Sequence, residues 1–364
     1  MAAPGSNAVH MMDTIMLVDM DYFYVACEEL RHPEIKDVPA IVGSDPKGGS
    51  GRGVVMTCNY KAREYGIRSG MPISMAYRIK PDAAYLPLDY GFYESISGRI
   101  MDVLRGMAWK FEQVSVDEAF IDVSDRCNTY ADAEAYAKKV HDGVFATASI
   151  KCSVGVGPNK LVAKIACEKA KPNGIRVVKS DEVVDFLSGC RIDELYGIGK
   201  KTEEKLGKLG YKTVKDLANA NVMQLVGAFG SLGIELKNYA NGIDNRQVEE
   251  QIGIKSIGRE LTFDVDTSDL ARLGEAVITL SNAVIEEARK GNFFFRTVTV
   301  KIRYYDFSEH VHSRTVRSAG DAPTLIDVAM GILAGNIDPS KKVRKIGVRI
   351  SNLVDYGKQS RING

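Results

Sequence analysis

The chain has 364 residues, of which 45% are hydrophobic and 26% charged, and its formal net charge is +1. This length predicts two to four domains, and the composition excludes disordered and fibrous proteins. No apolar run approaches the roughly 18 residues that a transmembrane helix needs to span a bilayer. The six cysteines lack the spacing of a metal site, so we expect reduced, buried thiols in a cytoplasmic protein.

The charge is unevenly distributed along the chain. From residue 253 to the end there are 17 Lys and Arg against 13 Asp and Glu, whereas the rest carries 31 against 34. An acidic part joined to a mildly basic part fits a metal enzyme that grips a polyanion. Residues 1–11 are small and polar, and we expect an extension or an added remnant there, with Met11 or Met12 as the natural start.

The N-terminal half alternates strand patterns with helix patterns. Its first apolar run, IMLVD, ends in Asp19, as expected for a buried strand that carries a carboxylate at its tip. Further strands are predicted at 39–43, 53–58, 119–124 and 152–157. This alternation predicts an α+β or α/β layer in which helices cover a sheet.

Short helices dominate from residue 180 to 243, and the polar segment NGIDNRQVEEQ that follows is interpreted as a linker. The C-terminal part then predicts a strand (255–261), a helix (270–290), two strands (293–305 and 310–317), a helix (324–334) and a strand (343–350). This β-α-β-β-α-β order is the split-βαβ or ferredoxin-like arrangement and is long enough for a separate domain.

Two acidic motifs, VDMDYFY (Val18–Tyr24) and SVDEAF (Ser115–Phe120), carry the first chemical signal. Asp117 and Glu118 are adjacent and cannot face one site from a regular strand, so a tight connection between two strands is expected there. Taken singly, the first motif is explained more simply by a solvated strand end, and the alternative for the second is a charged hairpin turn. Together they predict an oxygen-only pocket suited to Mg²⁺, and two such ions promote in-line phosphoryl displacement.

Basic and hydroxyl side chains suited to a triphosphate follow in TCNYKAR. Tyr60 and Arg63 share a helix face, and Thr57 is a candidate N-cap of that helix. Three further cations follow the strand at 152–157, namely Lys160, Lys164 and Lys171. Arg63 can hold phosphate oxygens in a fork, and Lys171 can act as a point charge. A solvated side chain is the alternative at each of these positions.

Glycines in YGIGKKTEEKLGKLG give a third signal. Gly197 and Gly199 let the backbone turn tightly and approach a phosphate at the start of the next helix. This pattern fits sequence-independent binding of a DNA backbone, with a simple helix–helix corner as the alternative. The Gly-rich segment SDPKGGSGRG lacks the G-K-[ST] ending of a phosphate loop, so a strand connection is predicted there.

Taken in order, these segments resemble the Y-family DNA polymerases, specifically the DinB branch of bacterial polymerase IV, eukaryotic polymerase kappa and the archaeal lesion-bypass enzymes. The resemblance runs from Met12 to Ile350 and also includes NYKAREYGIRSGMP, YLPLDYGFYESIS, SVGVGPNKLVAKIA with AKPNG, KSIGRE and RKIGVRIS. It implies template-directed addition of deoxynucleotides to a primer 3′ end, with low fidelity and low processivity, in translesion synthesis during DNA damage tolerance.

The resemblance implies an α+β multidomain right hand with a ferredoxin-like palm, small fingers, a helix-hairpin-helix thumb and a β-α-β-β-α-β little finger. The implied boundaries are the palm at 12–22 and 89–178, the fingers at 23–88, the thumb at 179–243, the linker at 244–253, the little finger at 254–356 and a tail at 357–364.

The resemblance also implies roles for individual residues. Asp19, Asp117 and Glu118 are the implied ligands of two Mg²⁺ ions, with Glu118 at the catalytic acid position and Met20 contributing its backbone carbonyl. Tyr24 matches the steric gate that excludes a ribose 2′-hydroxyl. The implied substrate contacts are Tyr22, Phe23, Tyr24, Thr57, Tyr60, Arg63 and Lys171. The implied DNA contacts are Gly197, Gly199, Lys200, Lys255, Arg259, Arg303, Arg314, Arg317, Arg344, Lys345 and Arg349.

The implied partners are primer–template DNA and the incoming deoxynucleotide, and a monomer is expected. Family members often end in a short apolar-aromatic tail that docks on the sliding clamp, and DYGKQSRING shows none, so the clamp stays an open partner. Two alternatives are a palm-fold nucleotide cyclase, whose Gly-Gly-acid-acid turn is missing, and a DNA-binding scaffold without chemistry, which would be expected to lack an acidic ligand.

Overall fold

The structure is a computed structural model that describes residues 13–250 and 253–355. The expected N-terminal extension, the expected tail and two residues of the predicted linker lie outside the described residues. The described chain forms two compact units, one of residues 13–49 and 54–250 and the other of residues 50–53 and 253–355.

The first unit contains both strands and helices. Its strands are β1 (Ile15–Met20), β2 (Ala40–Gly43), β3 (Val55–Cys58), β4 (Ala84–Leu86), β5 (Lys110–Gln113), β6 (Glu118–Asp122), β7 (Cys152–Gly157) and β8 (Ile175–Val177). Its helices are α1 (Phe23–Arg31), α2 (Tyr60–Glu64), α3 (Ile73–Ile79), α4 (Tyr90–Met107), α5 (Tyr130–Ala148), α6 (Lys160–Ala170), α7 (Val183–Ser188), α8 (Lys200–Lys208), α9 (Val214–Ala218), α10 (Val222–Phe229) and α11 (Ser231–Ala240).

The main sheet of this unit has the order β5-β6-β1-β7-β8. β1 lies at its centre, pairs antiparallel with β6 and β7, and is buried along its whole length. The first four of these strands have the order of a ferredoxin-like sheet, as the resemblance predicted. Helices α4 and α5 pack on one face of the sheet and α6 packs on the other. The first acidic motif therefore starts from a strand that helices cover on both faces.

Helix α6 lies unusually close to the sheet because of a glycine in β7. An added Cβ at Gly155 would lie only 2.1 Å from both the carbonyl oxygen of Ala163 and the amide nitrogen of Cys167. No side chain fits in that space, so the helix backbone rests directly on the strand. Gly155 pairs with Leu17 of β1, which places α6 beside the central strand.

Two smaller regions complete the first unit. The strands β3-β2-β4 form a three-stranded sheet with its own small core around Ile41, Ile67 and Ile73. The segment SDPKGGSGRG lies between β2 and β3, which confirms the predicted strand connection. Helices α7 to α11 share a further core that includes Leu206 and Leu236, in agreement with the short helices that the sequence predicted.

The polar segment interpreted as a linker is docked along residues 244–250 and is not freely solvated there. The buried Asp244 accepts a hydrogen bond from the amide of Leu161 at 3.0 Å, at the start of α6. Val248 is 2% exposed and packs in a cluster with Leu17 and Phe120. The segment has no periodic pattern of apolar residues that would predict this docking. Its single valine, Val248, supplies the buried apolar contact.

The second unit has the predicted chain order. Its strands are β9 (Ser256–Thr267), β10 (Phe293–Tyr304), β11 (Glu309–Ala319), β12 (Val343–Ser351) and β13 (Val354–Asp355), and its helices are α12 (Leu270–Lys290) and α13 (Ala322–Asn336). The sheet order is β11-β10-β12-β9. A split β-α-β unit is therefore present, but β12 rather than β11 lies between β9 and β10, which differs from the ferredoxin-like pairing.

The sheet of the second unit has one face packed on helices and one face that carries charged side chains. Val298, Val300 and Ile302 of β10 alternate toward α12 and α13, where they form the core. No helix of this unit within the described residues covers the other face. We call that surface, with the side chains of Glu260, Thr299, Lys301, Arg303, Lys345 and Arg349, the open face.

The six cysteines are buried and unpaired, as predicted. Burial raises the pKa of Cys27 to about 12, so this thiol stays protonated and weakly reactive at neutral pH. Within the described ranges, none of the helices combines the length and apolar character needed to cross a membrane.

Candidate active site

The two acidic motifs meet at one end of the main sheet. Asp19, next to last in β1, is the register partner of Glu118, the first residue of β6. Asp117 lies in the bend just before β6, and its carbonyl oxygen accepts a hydrogen bond from the amide of Met20 at 2.9 Å. This is the tight connection that the adjacent acids predicted, and it brings three carboxylates to one sheet edge.

Each of these carboxylates accepts a hydrogen bond from a nearby side chain. Lys171 donates to Asp19 at 2.8 Å, and Lys164 donates to Glu118 at 2.7 Å. Asp117 accepts a hydrogen bond of 2.5 Å from the hydroxyl of Ser115 within its own turn. Both lysines extend from α6 or its C-terminal end, so the close packing of that helix sets their reach.

Asp19 is the most strongly perturbed acid of the group. It is 8% exposed, and burial raises its pKa to about 7, even though Lys171 acts in the opposite direction. The nearby charges of Glu168 and Asp117 raise the pKa further. A carboxylate that is disfavoured by burial and by neighbouring acids gains most from an added cation.

The donor set fits a hard divalent cation. All three side chains offer carboxylate oxygens, the ligands that Mg²⁺ prefers. Among the described residues, no three His, Cys, Asp or Glu side chains are gathered closely enough to hold an ion as they stand. The carboxylates instead accept hydrogen bonds from two lysines and a serine, and the lysine charges offset their mutual repulsion. Mg²⁺ is commonly held by one or two carboxylates together with substrate phosphates, so a closed cage is not required.

Asp21 has a structural position and is not a solvated strand end. It is 2% exposed and accepts hydrogen bonds from the amide of Asn173 at 2.6 Å and from the hydroxyl of Ser153 at 3.0 Å. Burial raises its pKa above the ordinary value for an aspartate. These contacts fix the turn that follows Lys171 and so hold that lysine beside Asp19.

The start of α1 faces the same region. Tyr22 precedes the helix with a left-handed backbone (φ 37°), and no side chain caps the first turn. The first amides of a helix carry partial positive charge and are suited to phosphate oxygens. Phe23 is 2% exposed and anchors the turn in the core. The backbone of Tyr22 and Phe23, rather than their rings alone, is therefore suited to contact a triphosphate.

Helix α2 brings Tyr60 and Arg63 together as predicted. The guanidinium of Arg63 lies 4.7 Å from the centre of the Tyr60 ring, and its Nε donates to the carbonyl oxygen of Cys58 at 3.1 Å. Burial raises the pKa of Tyr60 to about 12, so its hydroxyl remains a donor at neutral pH. Tyr60 also packs edge-on against Tyr22, with ring centres 5.3 Å apart.

The prediction of Thr57 as the N-cap of this helix is wrong. Thr57 lies within β3 and pairs with Val42. Asn59 is the cap, since its side chain accepts a hydrogen bond from the amide of Ala62 at 3.0 Å. Both residue types cap helices well, and the strand pairing of Thr57 decides between them.

Tyr24 stands on an aromatic support that the sequence did not identify. Its ring stacks on that of Tyr93 of α4, with centres 4.7 Å apart and planes at 27°. Tyr93 is fully buried, and its hydroxyl donates to the buried carboxylate of Glu28 at 2.6 Å. Tyr93 lies in the segment YLPLDYGFYESIS, but its contact with Tyr24 joins two helices that are far apart in the sequence.

The three predicted lysines separate into two groups. Lys171 and Lys164 join the acidic cluster, and the pairing of Lys164 with Glu118 was not foreseen. Lys160 is 6% exposed and forms a buried ion pair with Glu112 at 2.6 Å. It also donates to the carbonyl oxygen of Gln247 at 3.4 Å, so it fastens the docked segment 244–250.

The glycine pair lies at the start of α8. Gly197 has φ +85°, a conformation that other residues rarely adopt, and Gly199 is the N-cap of α8. No side chain caps the first turn of this helix, and Lys200 is exposed there. An uncapped helix start with two open glycines can accept a phosphate oxygen.

Of the DNA contacts implied by resemblance, some lie on the open face and some do not. Arg303, Lys345 and Arg349 lie there, because their register partners are also outward-facing. Arg259 pairs with Val348 on the helix side and forms an ion pair with Glu287 of α12. Arg314 is opposite Val298, also on the helix side. The guanidinium of Arg344 lies over the ring of Phe307, and Lys255 and Arg317 are exposed.

Comparison with known families gives two matches. The chain matches the impB/mucB/samB family over residues 18–168 and the impB/mucB/samB family C-terminal domain over residues 254–362. It is 44% identical to DNA polymerase IV 2 of Methanosarcina mazei over 92% of this chain and 91% of that protein. It is also 44% identical to DNA polymerase IV of Methanoculleus marisnigri, over 93% of this chain and 94% of that one.

Solved structures give the same result. A Y-family DNA polymerase chimera of Dbh and Dpo4 superposes with a TM-score of 0.87 at 32% identity, over 94% of this chain and 99% of the other. DinB from Sulfolobus solfataricus gives a TM-score of 0.63 at 31% identity, with the same coverage. The predicted fold class, with a core sheet domain and a C-terminal sheet domain, is thereby confirmed. The chain belongs to the impB/mucB/samB family and is a DinB-type Y-family DNA polymerase, an enzyme of template-directed DNA synthesis in translesion synthesis.

Proposed function

We propose that this polymerase adds deoxynucleotides to a primer 3′ end by two-metal phosphoryl transfer at Asp19, Asp117 and Glu118. The observation that carries the proposal is the adjacency of Asp19 and Glu118 on neighbouring strand ends, each paired with a lysine. Membership of the family implies dependence on a divalent metal ion, and the oxygen-only donor set supports two Mg²⁺ ions.

In this proposal the protein positions charge and leaves the bond-making to the substrates. Mg²⁺ held at this site would supply positive charge to stabilise the charge that develops during phosphoryl transfer. The three carboxylates and the carbonyl of Met20 would hold the ions, and Lys164 would release Glu118 when they bind. Tyr60, Arg63 and Lys171 are suited to the triphosphate, with Lys171 passing from Asp19 to a phosphate oxygen. The Thr57 hydroxyl and the amides at the start of α1 complete the pocket.

We further assign Tyr24 as the steric gate, with Tyr22 and Phe23 beside it. The assignment of regions is the palm at 12–22 and 89–178, the fingers at 23–88, the thumb at 179–243 and the little finger at 254–356. Primer–template DNA would contact the uncapped start of α8 and the cationic side chains of the second unit. The buried, unpaired cysteines support a reducing, cytoplasmic location, and a monomer is expected.

We expect low processivity and low fidelity, because the fingers form only a small three-stranded sheet with three short helices. A small fingers region offers little surface to close over the new base pair, so mispairs are weakly rejected. Primer extension with an excess of unlabelled trap DNA should yield products only a few nucleotides long. Long products from a single encounter would contradict this expectation.

The test of the proposed function is extension of a labelled primer–template with each deoxynucleotide offered singly. We expect Mg²⁺-dependent addition of the nucleotide that the template specifies, a change of product when the template base is changed, and no addition in EDTA. If the chain binds the DNA but never extends it, a binding scaffold without chemistry replaces the enzyme. Cyclisation of a nucleoside triphosphate without any DNA would instead favour a cyclase.

A further inference from the structure

A carboxylate lies among the cations of the open face. Glu260 of β9, Gly347 of β12 and Lys301 of β10 form one row across three strands. An added Cβ at Gly347 would lie 2.8 Å from Cγ of Glu260. The side chain of Glu260 therefore lies across Gly347. This space is free only because glycine has no side chain.

This position lets one acid hold two lysines. Glu260 lies 3.1 Å from the Nζ of Lys301 and 2.5 Å from the Nζ of Lys345. A second acid, Glu309, lies 3.2 Å from Lys301 and accepts a hydrogen bond of 2.7 Å from the Nε of Arg303. Three cationic side chains of the open face, Lys301, Lys345 and Arg303, therefore already have carboxylate partners.

We propose that Glu260 is an internal competitor of the DNA phosphate and lowers the affinity of the open face for the duplex. The inference rests on the proposed DNA-binding role of this face. A phosphate oxygen and a carboxylate oxygen are equivalent acceptors for a lysine, so each phosphate must take Lys301 or Lys345 from Glu260. Glu260 then remains beside the bound phosphate as a like charge that has lost one of its two lysine partners.

The energetics fit a partner that can be displaced. The side chains are partly exposed, at 25–39%, and ion pairs of this kind contribute little to stability. Although burial acts in the opposite direction, hydrogen bonds from Lys345 and Lys301 hold the pKa of Glu260 below its ordinary value. Glu260 is therefore charged at neutral pH and competes throughout the physiological range. Such competition shortens the residence of DNA without removing the cations that attract it.

The proposal is tested with the full chain and a fluorescent primer–template, by anisotropy at several KCl concentrations. Glu260→Gln is expected to tighten DNA binding by roughly three- to tenfold and to steepen the salt dependence by about one power of the salt concentration per freed lysine. Glu286→Gln is the matched control, since it removes the same charge from the exposed side of α12, whose other side covers the opposite face of the sheet. Its effect should be much smaller.

Other results would overturn the proposal in distinct ways. Unchanged or weaker binding by Glu260→Gln would make Glu260 a support that positions the lysines for DNA. An equal gain from Glu286→Gln would reduce the effect to net charge. The gain should also shrink in a Lys345→Met background, and a full gain there would remove the lysine from the explanation. If the wild type itself does not bind the duplex, the proposed DNA-binding function is wrong, and the role of Glu260 falls with it.

Discussion

Replacing Asp19 with asparagine is expected to abolish nucleotide addition while stabilising the fold. The loss of activity follows because Asp19 is the proposed ligand at the tip of the central strand, beside Glu118. Removing the charge of one metal ligand is expected to remove about 4 kcal/mol of transition-state stabilisation, or roughly a thousandfold in rate. Single-turnover primer extension measures this loss, and anisotropy should show that DNA binding is retained.

The gain in stability follows from the raised pKa of Asp19. The folded chain prefers the protonated acid up to about pH 7, whereas the unfolded chain ionises near the ordinary value of 3.8. The folded state therefore binds more protons, and Asp19 lowers the free energy of unfolding progressively as the pH rises between those two values. A neutral asparagine avoids this cost. We expect a gain of about 2 kcal/mol at pH 8 in EDTA, shrinking to nothing near pH 4.

Denaturant unfolding at several pH values measures this gain directly. Asp102→Asn serves as the control, since its side chain is 80% exposed and its ion pair with Arg105 is expected to contribute little. If Asp19→Asn destabilises the chain equally at every pH, the contact with Lys171 outweighs the cost of burial. If the variant still extends primers at the normal rate, the metal site lies elsewhere.

Replacing Tyr24 with alanine is expected to let ribonucleotides into the product. The Tyr24 ring rests on the fully buried ring of Tyr93, which Glu28 holds by a hydrogen bond of 2.6 Å. A ring supported in this way cannot retreat from a ribose 2′-hydroxyl, so exclusion is steric. We expect discrimination between a deoxynucleotide and its ribonucleotide to fall by about a hundredfold, or about 3 kcal/mol.

The ratio of kcat/KM for the two sugars gives the measurement. Tyr24→Phe is the matched control, because it keeps the ring and the stacking on Tyr93 while removing only the hydroxyl. Its discrimination should stay close to that of the wild type. If the alanine variant discriminated against ribonucleotides as strongly as the wild type, another group would exclude the 2′-hydroxyl and the gate assignment would be wrong.

Much of the fold could be predicted because its strongest signals are local. Strand β7 and helix α12 have the bounds that their apolar patterns predicted, and the C-terminal order of elements is correct. The strand order of the second unit could not be derived, because periodicity does not show which strand enters between β9 and β10. The docking of residues 244–250 was also missed, since it depends on one valine and on side-chain contacts with distant segments.

The candidate site divides in the same way. The bend at Asp117 followed from the geometry of adjacent acids, and the shared face of Tyr60 and Arg63 followed from helical spacing. The partners of the acids could not be derived, because Lys164 is 46 residues from Glu118 and Lys171 is 152 residues from Asp19. Separations of this size are decided by the packing of α6 on the sheet.

The close contact at Gly155 therefore has a consequence for how this enzyme can evolve. Any side chain at that position would push α6 away from β7. Lys164 and Lys171 would then move away from Glu118 and Asp19, to which they donate hydrogen bonds. Gly207, by contrast, has no atom within 4 Å of an added Cβ. Among functional variants we expect Gly207 to vary and Gly155 to be retained, although Gly155 is buried beneath α6 and has no side chain. Selection for catalysis would thus conserve a glycine that takes no part in the reaction and acts only through the position of α6.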